Sequence, residues 1–232
     1  MMKRVQTGDM IPDLFQQAAT DYLQLLEKGY PQKTILKLVG DRYKLSGTER
    51  NMLFRGISTQ KSSVDRRKKQ GSVSGLPAQK LLVDTANQLL TIASYLNGNA
   101  VFISTDGFLR DASGIHGKAL QIPLMQRSLD LALSYLRLHG TKHHVFFVDI
   151  QMQKMKAIMP VIHEMAMQHG LSFEVIISGS VDQLLESTGE GLVCTSDSEI
   201  IEKTSQPVFD LARHTLTHFF SPEFSDLREI LK

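Results

Sequence analysis

One cysteine, Cys194, stands among 232 residues. That count excludes an internal disulfide and any zinc site built from several cysteines. Cys194 lies in GLVCTSD and reads as a small buried core residue. Long apolar runs are also missing. None approaches the ~18 residues of a membrane-spanning helix, so no membrane partner is expected. The opening MMKRVQTGDMIPDLF has a basic start with no apolar stretch behind it, which is not the pattern of a secretory leader. Neither GxxxxGK[ST] nor GxGxxG occurs, so the glycine loops of P-loop and dinucleotide sites are absent. His139, His143 and His144 form no HxxxH or HxH pattern and read as surface or linker residues rather than zinc ligands. These absences point to a cytoplasmic protein without a structural metal.

What is present is an ordinary globular composition, 42% hydrophobic and 22% charged. The length suits one large domain, or one domain with a small appendage. A net charge of +2 conceals an asymmetry. Residues 1–80 carry 15 Lys/Arg against 7 Asp/Glu, a surplus of +8, whereas residues 81–232 carry 11 against 17, or −6. A basic half joined to an acidic half suits a protein that holds a polyanion on one part and cations on the other.

Periodicity divides the chain in the same place. Residues 1–59 read as a basic helical module. Leu14, Ala18, Tyr22 and Leu25 recur at helical spacing before Gly29, a second helix starts at Pro31, and Ser46 with Glu49 makes a capping box for a third. Arg42, Tyr43 and Arg50 on this module could meet phosphates and a base, or pack against the rest of the protein. Residues 60–79, with the run Arg66-Arg67-Lys68-Lys69, read as a polar basic linker or loop. From residue 80 to 232, strand-like runs (81–86, 100–106, 143–150, 172–178, 191–197 and 207–212) alternate with helix-like ones. That alternation predicts an α/β fold with a mostly parallel sheet covered on both faces.

Ligands of such sheets bind beyond the carboxyl ends of the strands. Asp84, Asp106, Asp149 and Asp197 each fall at or just after a predicted strand end. Carboxylates gathered on one edge repel and call for a cation, and a hard, oxygen-liking ion such as Mg²⁺ or Mn²⁺ fits. Asp182 and Glu186 add two acids on one helical face, and Glu199 follows Asp197 within Thr195-Ser196-Asp197-Ser198-Glu199. The predicted metal set is Asp84, Asp106, Asp149, Asp182, Asp197 and Glu199. Asn87, Ser196 and Ser198 could orient a carboxylate or bind substrate. In TDGFLRDASGIHGK, Arg110, His116 and Lys118 could contact phosphates, or the segment could be a structural turn in which Arg110 and Asp111 pair with neighbours.

Three blocks carry a resemblance. VDTANQL (83–89) looks like the first-strand signature of PIN/NYN-like ribonuclease domains, SVDQLLES (180–187) is similar to their acidic helix, and CTSDSEII (194–201) resembles their Ser-Gly-Asp-Ser-Asp-Phe block. More narrowly, residues 27–56, VDTANQLL and STDGFLRDASGIHGK resemble the prokaryotic family domain of unknown function 434. The chain departs from the broader pattern at Thr85-Ala86, where a glycine is usual, and at Glu199, where the family has Asp. The resemblance implies a PIN-type sheet and metal-dependent phosphodiester hydrolysis, most of all of RNA, with Asp84, Asp182 and Asp197 as the catalytic carboxylates matched to its motifs. Asp149, from its strand-end position, joins them as a further candidate, directly or through water. It leaves room for a protein that binds nucleic acid without cutting it. A phosphohydrolase of haloacid-dehalogenase type would want Asp-x-Asp after the first strand, and position 86 is Ala. A homo-oligomer is compatible with all three.

Overall fold

The computed structural model of the protein describes residues 13–113 and 121–231. Four helices come first: α1 (Asp13–Glu27), α2 (Gln32–Arg42), α3 (Gly47–Gly56) and α4 (Gln60–Arg67). The inward stripe of α1 is Phe15, Ala18, Ala19 and Tyr22; Ala18 and Tyr22 are buried as expected, whereas Phe15 takes the inward place expected of Leu14, which is exposed. Gly29, at φ +81°, ends the helix by taking a left-handed conformation that other residues adopt at a cost. The capping box of α3 forms as expected: Glu49 N donates to Ser46 Oγ, and Ser46 N donates to Glu49 Oε2.

Residues 60–79 are not a loop. Thr59 caps α4 by accepting from Ser62 N, and Val73–Ala78 form a 3-10 turn. Polar composition concealed this because half of the charged run, Arg67 and Lys69, is satisfied by backbone distant in sequence. Lys69 Nζ donates to the carbonyls of Ile201, Glu202 and Thr204 at 2.6–2.8 Å, and Arg67 donates to the Thr105 carbonyl.

The strands that follow are β1 (Lys80–Asp84), β2 (Val101–Ile103), β3 (Leu109–Asp111), β4 (His143–Asp149), β5 (Ser172–Ser178), β6 (Leu192–Cys194), β7 (Val208–Phe209) and β8 (Ser225–Asp226). Between and after them run α5 (Thr85–Leu96), α6 (Ile122–Leu138), α7 (Gln153–Gln168), α8 (Val181–Ser187), α9 (Ser198–Lys203), α10 (Leu211–Phe220) and α11 (Leu227–Ile230). Five strands make one parallel sheet in the order β5-β4-β1-β6-β7. The period-two alternation of strands decides what each face buries. Leu81, Val83, Phe146, Val148, Leu192 and Cys194 face a core with α5, α6, α7 and α10, while Leu82, Val145, Phe147 and Val193 face one with α8 and α9. The expected α/β architecture is therefore present.

One strand went elsewhere. The run 100–106 was expected in the parallel sheet, but β2 joins a second sheet of order β3-β2-β8, antiparallel to β3 and parallel to β8. Gly107, at φ +86°, makes the turn between β2 and β3, with its N–H on the Ser104 carbonyl. Phe102, Ala112 and Leu227 complete the core of the helical module together with Phe15, Tyr22, Ile35 and Leu53. Module and small sheet thus share one apolar interior. None of the described helices is long and apolar enough to cross a membrane.

Candidate active site

In the large sheet the chain runs from β1 outward to β5 on one side and returns to fill β6 and β7 on the other. The reversal makes the junction of β1 and β6 a topological switch point, where the carboxyl ends of neighbouring strands open a crevice. Asp84 ends β1 and Thr195-Ser196-Asp197 follows β6, so both stretches border that crevice.

Asp84 passes straight into α5 as its cap. Its Oδ1 accepts from Asn87 N at 3.2 Å and its Oδ2 from Thr195 Oγ1 at 2.9 Å. Asn87 Oδ1 in turn accepts from Ser196 N at 2.9 Å and Ser196 Oγ at 3.0 Å. The Asp84-x-x-Asn87 spacing is thereby explained: one turn of helix presents two acceptors to two successive residues of the facing loop. Asp197 caps α9, its Oδ1 accepting from Glu199 N and Ile200 N.

The carboxylates are electrostatically joined. Burial raises the pKa of Asp84 to about 7, against the hydrogen bonds from Asn87 and Thr195, and the charges of Asp197 and Asp182 add to the rise. Asp182, on the first turn of α8, is raised by partial burial and then by Asp197, Glu186, Asp149 and Glu199. Asp84, Asp149, Asp182, Asp197 and Glu199 therefore share one field. Glu186 and Glu199 are moderated by Lys203, at 2.9 Å and 3.7 Å.

Two expected site residues belong elsewhere. Asp106 is fully buried, receives Arg110 Nη2 at 2.7 Å and Arg66 Nη1 at 3.2 Å, and accepts from Ser104 Oγ. It left the metal set because its strand lies in the small sheet. Arg110, almost fully buried, spends its other nitrogens on the carbonyls of Ser196 (2.9 Å) and Arg55 (3.0 Å), so it braces the Ser196 loop from behind rather than reaching for phosphate. This is the structural-turn alternative for TDGFLRD, with Asp111 paired to Arg55 at 2.8 Å. His116 and Lys118 lie outside the described residues.

The module residues fare differently again. Arg50 donates to the Leu45 carbonyl and to Asp41. Arg42 is solvent-exposed, 3.9 Å from Asp21 and packed over the Tyr43 ring. Neither lines the cleft of about 330 Å³ that lies between the helical module and the Ser196–Glu199 stretch. Its walls include Tyr30, Phe54, Ser62 and Arg66 from the module and Arg110, Ser196, Asp197 and Ser198 from the α/β part. Sequence reasoning missed Tyr30, Phe54, Ser62 and the Thr195 contact. Thr195 had a signal in the hydroxyl run after a strand, whereas the module residues meet the site only through the shared core.

Among the described residues, no three His, Cys, Asp or Glu side chains form a group that could hold a metal unaided. Asp84 and Asp197 also have carboxylate oxygens engaged by backbone or hydroxyl donors. An all-protein metal cage is therefore a poor fit. The donor set, all carboxylate and mutually repelling, does fit a hydrated Mg²⁺ or Mn²⁺ that takes one or two carboxylates and completes its shell with water and substrate phosphate.

Comparison with known proteins places these features in a family. Residues 14–69 match "Protein of unknown function (DUF434)" and residues 73–214 match "Domain of unknown function (DUF5616)". The first-strand and TDGFLRD blocks, expected with the former, therefore fall in the latter. The "Uncharacterized protein MJ0935" of Methanocaldococcus jannaschii is 25% identical over 187 residues, covering 81% of this chain and 88% of that protein. No solved structure matches. With well over half its length matched, the chain belongs to the family described as Domain of unknown function (DUF5616).

Proposed function

We propose that the strand-end site hydrolyses phosphodiester bonds in nucleic acid, RNA foremost, with the help of Mg²⁺ or Mn²⁺. The observation that carries this reading is Asp84, buried at the switch point with a pKa raised to about 7 and in the field of Asp182 and Asp197. A buried acid shifted this far, beside further acids in a crevice, is the pattern of a site rather than of a helix cap alone. The order of Asp84 with Asn87, then Asp182, then Asp197, resembles that of PIN/NYN-like ribonuclease domains.

Asp84, Asp182 and Asp197 would hold the ion, with Asp149 and Glu199 shaping the field around it. The chemistry supplied by such an ion is the activation of water near neutral pH and relief of charge on the phosphate. The chain's own groups do the positioning. Thr195 fixes the Asp84 carboxylate, Asn87 fixes Ser196, and Arg110 holds the Ser196 carbonyl from behind. Two struts thus set the distance between the β1 end and the loop carrying Asp197, and a third braces that loop from β3.

A second reading is a protein that binds RNA without cutting it. The observation favouring it is that both Asp84 oxygens already accept hydrogen bonds, leaving an ion to compete for them. Incubation of mixed single-stranded and structured RNA with Mn²⁺, Mg²⁺ or EDTA separates the two. Metal-dependent cutting lost in Asp84→Asn and Asp197→Asn supports hydrolysis. Binding by a folded wild type with no cutting under any metal supports the silent binder.

A further inference from the structure

The cleft beside Asp197 is built of two unlike chemistries. Its module side is apolar and aromatic, with Leu26, Tyr30 and Phe54. Tyr30 is 55% exposed although it is large, so its ring is displayed rather than packed. The remaining walls are polar. Thr59 and Ser62 come from the start of α4, and Ser198 from the loop side. The Ser62 and Ser198 hydroxyls meet no partner among the described residues, and Thr59 uses its hydroxyl only as an acceptor. Arg66 and Arg110 also line the cleft; both reach Asp106, and Arg66 in addition pairs with Glu202 at 2.6 Å, so the two guanidiniums there are matched by two carboxylates. At the far end, Asp197 and Glu199 make the wall acidic.

A displayed aromatic ring and hydroxyls free to donate within one cleft are a combination that takes a nucleobase and its phosphate. Unpaired bases stack on exposed aromatic rings, whereas bases inside a duplex are already stacked and paired. A volume near 330 Å³ is on the scale of a small-molecule site. We propose that this cleft seats one unpaired nucleotide of a single-stranded nucleic acid, its base against Tyr30 and its phosphate among Thr59, Ser62 and Ser198. Its identification as the nucleotide next to the scissile bond rests on the hydrolytic reading above, because Asp197 borders both places. The helical module is then half of the substrate site, and the protein selects single strands through it.

The test is fluorescence anisotropy in EDTA, where cutting does not intervene, with labelled oligo(U) RNA, oligo(dT) DNA and a blunt RNA duplex as probes. The variants are Tyr30→Ala, an exposed change, and Ser62→Phe, which fills the cleft; thermal melts check that both fold. Tyr30→Ala is expected to weaken oligo(U) binding roughly 5- to 100-fold, the range of one lost base stack, and Ser62→Phe to weaken it as well. Wild type should prefer oligo(U) to the duplex. Equal binding of oligo(dT) supports the subsite and widens its class to single strands of either sugar. Unchanged affinity in both folded variants, tighter binding of the duplex, or no binding of oligo(U) by wild type overturns the subsite. If wild type still cuts RNA in the first of those cases, the hydrolytic reading survives alone. If both variants lose oligo(U) but wild type never cuts, the subsite survives and the hydrolytic reading falls.

Discussion

Thr195 donates its hydroxyl hydrogen to Asp84 across 111 positions of chain, 2.9 Å from oxygen to oxygen. That contact ties the end of β1 to the loop after β6 and fixes one oxygen of Asp84, whose pKa burial raises to about 7. A hydrogen bond to a charged group contributes about 1.5–3 kcal/mol. Thr195→Val keeps the shape and removes both the donor to Asp84 and the acceptor of the Asp197 N–H. Stability at pH 8 should fall by about that amount in urea unfolding, and the pH profile of RNA cutting should move to higher pH, because the carboxylate loses a group that favours its charge. An unmoved profile would argue against a role for this contact in the site.

Asp84 makes a prediction about pH. Its pKa is about 3.9 in an unfolded chain and about 7 when folded. Between those values the folded form keeps a proton that the unfolded form has released. Stability from this group is thus full at low pH, declines as pH rises through the folded pKa, and levels off above it. Asp84→Asn removes the charge, so its gain over wild type should be largest near pH 8, up to a few kcal/mol, and vanish near pH 4. Asp210, raised by burial to about 6, is present in both proteins and cancels in the comparison. Thermal melts across pH make the measurement.

The same melts read the cation without any assay of activity. At pH 8, Mn²⁺ should raise the melting temperature of wild type, since a ligand that binds only the folded form stabilises it. Asp84→Asn should show little of that rise. An equal rise in both would move the ion away from this crevice.

Asp106 should behave as the opposite kind of acid. Burial works against its charge, but Arg110, Ser104 and Arg66 together hold its pKa below the usual carboxylate range. Its contribution is therefore present at neutral pH and lost as pH falls through that low folded value. Asp106→Asn leaves Arg110 without a carboxylate, while Arg66 keeps Glu202, and breaking a buried pair costs about 3–5 kcal/mol. Urea unfolding at pH 7 should show a loss of that order. The Mn²⁺ shift of the folded fraction should persist, since this carboxylate lies apart from the strand-end acids.

Lys69 latches α9 by three carbonyls. Lys69→Met keeps the stem and removes the charge-assisted donors. A loss of about 2–3 kcal/mol is expected, with faster amide hydrogen exchange concentrated in residues 198–203.

Much of this architecture was legible in order and period. The alternation of Leu81, Leu82 and Val83 is what sends neighbours to opposite faces of the sheet, and helix spacing located α5 through α10 within a residue or two. Asp84, Asp182 and Asp197 could be grouped because strand ends in a parallel sheet converge by construction. Asp106 could not be separated from them, since its strand looks like the others and only its partner, Ser225–Asp226, reveals the second sheet. The basic run was misread for a related reason. Lys69 and Arg67 spend their charge on carbonyls distant in sequence, and carbonyls have no signature in side-chain composition. Tyr30 was silent for the same cause: nothing local distinguishes a displayed ring from a packed one.

The core shared by the module and the small sheet has a consequence for how the chain is made. Gln16 in α1 donates to the Ile230 carbonyl in α11, 214 positions away, and Leu227 is wholly buried among the side chains of the first three helices. A ribosome delivers those helices before the sheet strands, yet the last side chain that closes their interior emerges only after the five-stranded sheet has been made. Until then their apolar faces wait in water, and loop closure over that span must come before the reward of contact. The two matched families meet near residue 70, but the contact between α1 and α11 and the shared apolar cluster cross that seam, so a truncation there would expose apolar side chains on both sides.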